Sequence, residues 1–358
     1  MDDEPGMMAA VRALTVAPGQ AGSARLDEVE EPAAGRDALL VEGIAVGICG
    51  TDAEIVSGTY GEAPPGDERL VIGHESLGRV LEAPAASDLG PGDLVAGIVR
   101  RPDPIPCPPC AAGEWDMCRN GLYTERGIKG SHGYASERWT LEPAFAVRVD
   151  PALDAVGMLL EPTSVVAKAW DHIERVGARA FWAPARVLVT GAGPIGLLAA
   201  LLGVQRGLDV HVLDRNATGP KPPLVGALGA TYHSEGAVEL AAASDVIVEC
   251  TGADQLVLDV MCNSAPGAVV CLTGVSSGGR TIPVDPGRLN RTLVLENDVV
   301  FGTVNANRRH WEAAAAALAR ADVDWLGGIV SRRVPLSEWS AALRREPDDV
   351  KVVLDLEG

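Results

Sequence analysis

Four side chains in the first half of the chain have the types and positions that metal chemistry requires. Cys49, in GICGTD, and His74, in VIGHES, supply a soft and a borderline ligand from the ends of separate strand-like runs, and Glu75 and Glu161 offer carboxylates. Together they could hold a Zn²⁺ with one coordination position open to a substrate. A lone cysteine in an apolar run is ordinarily a packing residue, and a lone histidine beside glycine is ordinarily structural, so the combination carries the reading. Three more thiols, Cys107, Cys110 and Cys118, fall within twelve residues. That clustering suits a metal better than a disulfide framework. Cys250, Cys262 and Cys271 stand in apolar contexts and read as packing residues.

A third constellation suits a phosphate-bearing ligand. GAGPIG (191–196) follows the strand-like VLVT and opens the helix-like PIGLLAALLGVQRG. In that context Gly191 permits a tight turn, Gly193 lets the backbone approach a pyrophosphate, and Gly196 allows close helix packing. Pro194 suits a first helical turn, and the amides that open the helix, Ile195 among them, present N–H groups and a positive dipole end to the anion. Asp214 ends the next strand-like run, where a carboxylate that binds the adenosine ribose belongs. Arg215 beside it could swing under a 2′-phosphate. The two pull in opposite directions, and the balance leans to NAD over NADP.

These residues need elements to position them. Up to about residue 165 the chain is rich in Gly and Pro, with short β-type runs at 38–48, 68–74 and 93–99 broken by turns. From Arg186 the texture changes to strand, helix, strand, and further apolar runs follow at 245–252, 267–274 and 298–305. That alternation predicts a doubly wound parallel sheet with helices on both faces. The Ala-rich HWEAAAAALARA (310–321), SEWSAALRR (337–345) and VKVVLDL (350–356) break the alternation and read as a return to the first domain. The expected division is 1–165 with 307–358 for the metal-binding domain and 166–306 for the dinucleotide domain. The first six residues read as a tail before AVRALTV, and either Met7 or Met8 could serve as a start.

Composition narrows the function. The chain has 358 residues, 47% hydrophobic and 22% charged, with 49 acidic against 30 basic residues and a formal charge of −19. Such a charge argues against nucleic acid or anionic lipid as partner. Only four of the 30 basic residues are Lys, and the other 26 are Arg. The N-terminus has no signal-peptide core and no apolar run reaches membrane-spanning length, so the expected location is cytoplasmic.

The order CGTD, then GHE, then a cysteine lobe, then a dinucleotide fingerprint resembles the zinc-dependent medium-chain dehydrogenases across nearly the whole chain. YTERGIKGSHGYASE (123–137), LLEPTSVVAKA (159–169) and GTVNANRRHW (302–311) look like its glucose (aldose) 1-dehydrogenase branch. The resemblance implies an α/β fold in which a GroES-like β-rich catalytic domain accompanies a Rossmann domain. It implies catalytic zinc at Cys49, His74, Glu75 and Glu161, and sugar contacts at Thr51, Glu125, Glu161 and Asn305. Thr51 and Glu75 are the catalytic candidates, and Thr251, Thr273 and Asn305 join the cofactor residues. A homo-oligomer, dimer or tetramer, is expected.

Three departures stand out. Many relatives place a His just after CGTD as a proton relay, whereas here Ala53 and Glu54 follow, so the relay must come from Thr51, Asp52, the cofactor ribose or water. The zinc signature expects a small residue where Pro84 stands. The usual four-cysteine lobe has spacings of three, three and eight, and here Pro104 occupies the first ligand position, with Asp103 beside it as a replacement fourth ligand.

The reading is an NAD(P)-dependent zinc oxidoreductase that takes a hydride from C1 of an aldose and gives a lactone. The rivals are a zinc-dependent secondary-alcohol or polyol dehydrogenase, which would leave Glu125 and Asn305 without partner hydroxyls, and a catalytically lapsed cofactor-binding module.

Overall fold

The computed structural model describes residues 10–33, 35–279 and 281–357, so the expected tail with Met7 and Met8 lies outside the described residues. The chain divides into two compact units, with breaks at Glu161/Pro162, Ala306/Asn307, Ala315/Ala316 and Ile329/Val330.

The first unit is built on the ten-residue strand Leu39–Ile48, whose residues are almost all buried. Val, Ile and Leu at pleated positions favour such a strand, and burial on both faces explains its near-continuous apolar run. It pairs antiparallel with Glu75–Glu82, with Arg138–Leu141 and with Lys351–Asp355. Register decides what meets at its end. Gly47 faces Glu75 and Ile48 faces Val352, so Cys49, Glu75 and Lys351 come to one edge of the seven-stranded sheet. The closing strand therefore does return to the first unit, where it supplies a residue to the site.

The second unit holds a six-stranded parallel sheet. Its order is Thr231–His233, Asp209–Leu213, Arg186–Thr190, Val246–Glu249, Val269–Leu272 and Val299–Gly302, which in chain order is 3-2-1-4-5-6. The sheet reverses direction of travel beside Arg186–Thr190, the point at which open α/β sheets take their ligands. The helix Pro194–Val204 is buried from Gly196 through Gly203, in keeping with a segment apolar on every side.

Residues 316–329 depart from the expected division, because Ala316–Ile329 groups with the parallel-sheet unit. Gln205 Nε2 donates to Ala317 O at 2.9 Å and Trp325 Nε1 to Leu224 O at 2.8 Å, while Leu326 and Ile329 are wholly buried. Packing of this apolar hairpin of helices outweighs its place in the sequence.

Candidate active site

Cys49 caps the helix Gly50–Val56. Its Sγ accepts from Thr51 N at 3.3 Å, and Asp52 Oδ2 accepts from Cys49 N at 2.9 Å, a reciprocal capping arrangement that fixes the thiol. His74 leads into the strand Glu75–Glu82 and places Nε2 3.2 Å from Cys49 Sγ. Cys49, His74 and Glu75 each bring a ligand atom within 4.8 Å of the others.

Charge completes the cluster. Both oxygens of Glu75 lie 2.7 Å from Lys351 Nζ, which also donates to Ile48 O at 3.1 Å, and both side chains are about 98% buried, at 2% relative exposure. Burial would push the Lys351 ammonium down, but Glu75 and Cys49 outweigh it and hold it above the ordinary lysine value. Burial would likewise lower the His74 imidazole, yet Cys49 and Asp52 hold it well above its usual value. His74 Nδ1 faces Asp52 Oδ1 at 3.6 Å, and neither atom has a hydrogen-bond partner among the described residues. Burial pushes the Glu161 carboxyl up to about 7, with the Glu75 and Asp52 charges adding to the rise against His74 and Lys351.

These residues fit zinc. A thiol and an imidazole nitrogen bound to one tetrahedral ion stand about 3.5 Å apart. The separation of 3.2 Å is close to that. An imidazole held up by a thiol and a carboxylate, and a buried carboxyl that resists ionisation, mark a place where a cation would be stabilised.

The dinucleotide loop is equally formed. A Cβ on Gly196 would lie 1.7 Å from Gly191 O, so only glycine allows that packing, whereas one on Gly193 would enter open space beside the helix N-terminus. Gly193 caps the helix, with Pro194 and Ile195 in its first turn. The loop therefore leaves room for an anion at the amides that receive it.

Residues 154–356 match the family model described as glucose dehydrogenase C-terminus, and residues 35–151 match the alcohol dehydrogenase GroES-like domain. The chain belongs to the zinc-dependent glucose dehydrogenase family. The dehydrogenase is 39% identical to a glucose 1-dehydrogenase of Methanocella arvoryzae, covering 97% of this chain and 99% of that one. Against the glucose 1-dehydrogenase of Thermoproteus tenax the identity is 38%, covering 97% of this chain and 100% of that one. A solved structure of Haloferax mediterranei glucose dehydrogenase in complex with NADP, Zn and gluconolactone superposes with a TM-score of 0.88 at 32% identity, covering 96% of this chain and 99% of that one.

In this dehydrogenase the cysteine lobe places Cys107, Cys110 and Cys118 within 4.8 Å of one another. Cys107 Sγ and Asp103 Oδ2 each lie 3.9 Å from Cys118 Sγ, near the edge of about 3.8 Å that a tetrahedral zinc–thiolate site requires. The Arg119 N–H, 3.3 Å from Cys107 Sγ, leads the effects that bring that thiol down to about 7, and burial pushes Cys110 up to about 11. Asp103 is buried and its Oδ1 accepts from Ile105 N at 2.8 Å, while the group of mutually close ligand atoms among the described residues is the three thiols without it.

Other expected site residues have company the sequence did not announce. Glu125 is buried and its Oε1 accepts from Arg100 Nε at 3.1 Å and Nη2 at 2.9 Å, so this side chain also serves the fold. Asn305 adopts a left-handed backbone, φ 63°, and its Oδ1 accepts from Ala306 N at 2.8 Å. The Thr51 hydroxyl has no partner among the described residues, whereas its N–H is committed to Cys49. Asp52 is wholly buried, with Oδ2 accepting from Cys49 N and Oδ1 facing His74 Nδ1.

Asp214 is the clearest departure from expectation. It is not a free carboxylate: Ala192 N and Lys221 Nζ each donate to Oδ2 at 2.8 Å, and Asn216 N to Oδ1 at 3.1 Å. Burial would raise it, but Lys221 and the backbone amides hold it below the usual carboxylate range. Arg215 is exposed beside it. Sequence reasoning missed Lys221, Lys351 and the structural part of Asp52. One signal was present: in a chain with four lysines and 26 arginines, three of the lysines, Lys168, Lys221 and Lys351, are buried.

Proposed function

We propose that the enzyme oxidises C1 of glucose or a closely related aldose to the lactone, passing the hydride to NAD⁺ or NADP⁺. The observation that carries this is the 3.2 Å approach of Cys49 Sγ to His74 Nε2, in a chain 32% identical to an enzyme solved with NADP, Zn and gluconolactone. When bound, zinc supplies Lewis acidity toward the substrate hydroxyl and the dinucleotide supplies the hydride acceptor. Cys49 and His74 would hold the metal, with a carboxylate from Glu161 or Glu75. Glu75, fixed by Lys351, and Asp52, beside His74, orient the ligands. Thr51 Oγ1 accepts the hydrogen bond of the C1 hydroxyl, and Glu125, Glu161 and Asn305 bind further sugar hydroxyls. Gly191, Gly193, Pro194, Ile195 and Gly196 receive the pyrophosphate, and Asp214, Arg215, Thr251, Thr273 and Asn305 complete the cofactor contacts. Cys107, Cys110, Cys118 and Asp103 hold a second, structural zinc.

NAD⁺ is the favoured cofactor, because Asp214 stands where a carboxylate binds the ribose and repels a 2′-phosphate, and NADP⁺ is accepted because Lys221 partly neutralises that charge. Lys221→Met should therefore lower kcat/KM for NADP⁺ about tenfold relative to NAD⁺, the effect of roughly one pKa unit of uncompensated charge. An unchanged ratio contradicts the assignment. Assembly is a dimer or tetramer: Val299–Gly302 is a sheet edge, and the helix Pro286–Glu296 buries none of its residues, leaving Val294 and Leu295 63% exposed. Light scattering reports the mass. The location is cytoplasmic, in keeping with seven free cysteines. The deciding experiment follows reduced nicotinamide on mixing the protein with glucose and each cofactor, and with a secondary alcohol as comparison. Turnover of glucose with lactone formation supports the proposal, and turnover of the alcohol alone overturns it.

A further inference from the structure

Glu249 is wholly buried at the carboxyl end of Val246–Glu249, the strand that adjoins Arg186–Thr190 at the reversal of the parallel sheet. A carboxylate in such a place is costly unless its lone pairs are filled. Four neutral donors fill them. Oε1 accepts from Thr190 Oγ1 at 3.1 Å, from Thr251 N at 2.8 Å and from Thr251 Oγ1, and Oε2 accepts from Gly252 N at 3.1 Å. The main-chain oxygen of the same residue collects three more hydrogen bonds, from Thr273 N at 2.8 Å, Thr273 Oγ1 at 2.8 Å and Gly274 N at 3.0 Å. One residue thus ties the ends of three neighbouring strands. The knot is tight, since a Cβ on Gly274 would lie 2.1 Å from Gly252 N and 2.7 Å from Glu249 Oε2.

We propose that Glu249 is a positioning residue for the dinucleotide, locking the turns that follow Arg186–Thr190, Val246–Glu249 and Val269–Leu272 into one rigid floor at the place where the sheet takes its ligand. The inference rests on the dinucleotide reading above, in which Thr251 and Thr273 touch the cofactor. It adds a chemical constraint. The hydroxyl hydrogens of both threonines are spent on Glu249, and Thr251 Oγ1 also accepts from Ala253 N at 3.0 Å, so their remaining lone pairs meet a ligand as acceptors. The matching groups are donors, a ribose hydroxyl or an amide NH₂, and not phosphate oxygens.

Glu249→Gln keeps the size of the side chain but turns one acceptor into a donor among N–H and O–H groups. Calorimetric titration of the purified full chain with NAD⁺ and with NADP⁺ is the test. For residues that support metal ligands such a loss is about 10–100-fold, and the low end of that scale is expected for this support of the dinucleotide. Both dissociation constants should therefore rise about tenfold in Glu249→Gln with their ratio unchanged, and KM for the dinucleotide should rise more than kcat falls. Thr190→Val, which removes one donor, should give a smaller rise of the same kind. Unchanged affinity alongside a lower melting temperature would show a merely structural role and overturn the inference. If circular dichroism shows Glu249→Gln unfolded, Thr190→Val decides it by the same titration. A wild-type protein that binds neither dinucleotide overturns the functional reading and this inference with it. Wild-type binding with unaltered variants overturns the inference alone.

Discussion

The two groups of candidate metal ligands lie in the same unit and are held by different means. Around Cys49, His74 and Glu75 the protein supplies its own order: a ten-residue strand on one side, the register of Lys351–Asp355 on the other, and a buried ion pair between Glu75 and Lys351. Around Cys107, Cys110 and Cys118 the regular structure is a four-residue helix, Pro108–Ala111, and a 3₁₀ turn, Trp115–Met117, with Ile105 70% and Met117 51% exposed nearby. There the thiols' close partners include one another and Asp103. The first site is preorganised by strands and fixed charges, as a site that must exchange substrate requires. In the second a bound metal would itself be part of the fold, and its binding energy would be folding energy.

The sharpest way to break this comparison is at the first site. His74→Ala removes a ligand while leaving the sheet and the Glu75–Lys351 pair in place. We expect kcat/KM for glucose to fall about a thousand-fold or more, the loss of several kcal/mol of Lewis-acid stabilisation. Metal analysis should show one zinc fewer per chain, with the melting temperature nearly kept. Retained turnover with full metal content would place the chemistry elsewhere.

The next largest effect is on stability. Lys351→Met leaves Glu75 buried without its counter-charge, and breaking such a pair costs about 3–5 kcal/mol. Urea unfolding should show that loss, together with lower affinity for the catalytic metal. A loss below about 1 kcal/mol would mean that the pair does not shape the site.

A smaller effect belongs to the lobe. Cys110→Ser should release the second zinc and lower stability by about 2 kcal/mol, because metal held only by the folded state contributes through its binding equilibrium. Its kcat/KM for glucose should stay within about twofold of wild type, since the lobe touches no reacting atom. Loss of activity in step with the lobe metal would erase the distinction between the sites.

Local patterns carried much of this into the sequence. GAGPIG between a strand and a helix announced the dinucleotide loop, and the alternation after Arg186 announced a doubly wound parallel sheet, but not its 3-2-1-4-5-6 order or the short strand Thr231–His233. Cys49 and His74 were legible because each closes or opens a strand-like run. Glu75 was legible as a neighbour, but its partner was not, because Lys351 lies 276 residues away and reaches it only through strand register. Asp214 was legible at the strand end, but its partner was not, since Lys221 opens a short helix, Lys221–Ala227, whose Pro-rich start gives no periodicity to read. Glu249 gave no signal beyond a single acid in an apolar strand. Scarce lysines surrounded by abundant arginines were the one compositional hint, because a compact ammonium suits a buried carboxylate or carbonyl in a way a wide guanidinium does not.

The central claim is that hydride transfer from glucose depends on a metal held at Cys49 and His74, and removing and restoring that metal tests it most directly. Purified enzyme should be stripped by chelation, assayed with glucose and NAD⁺, and then titrated with zinc while activity and zinc per chain are recorded together. The account predicts that turnover vanishes with the metal and returns in proportion to zinc bound, and that in Cys110→Ser it is complete at one zinc per chain. Undiminished oxidation of glucose by metal-free, folded enzyme would contradict it.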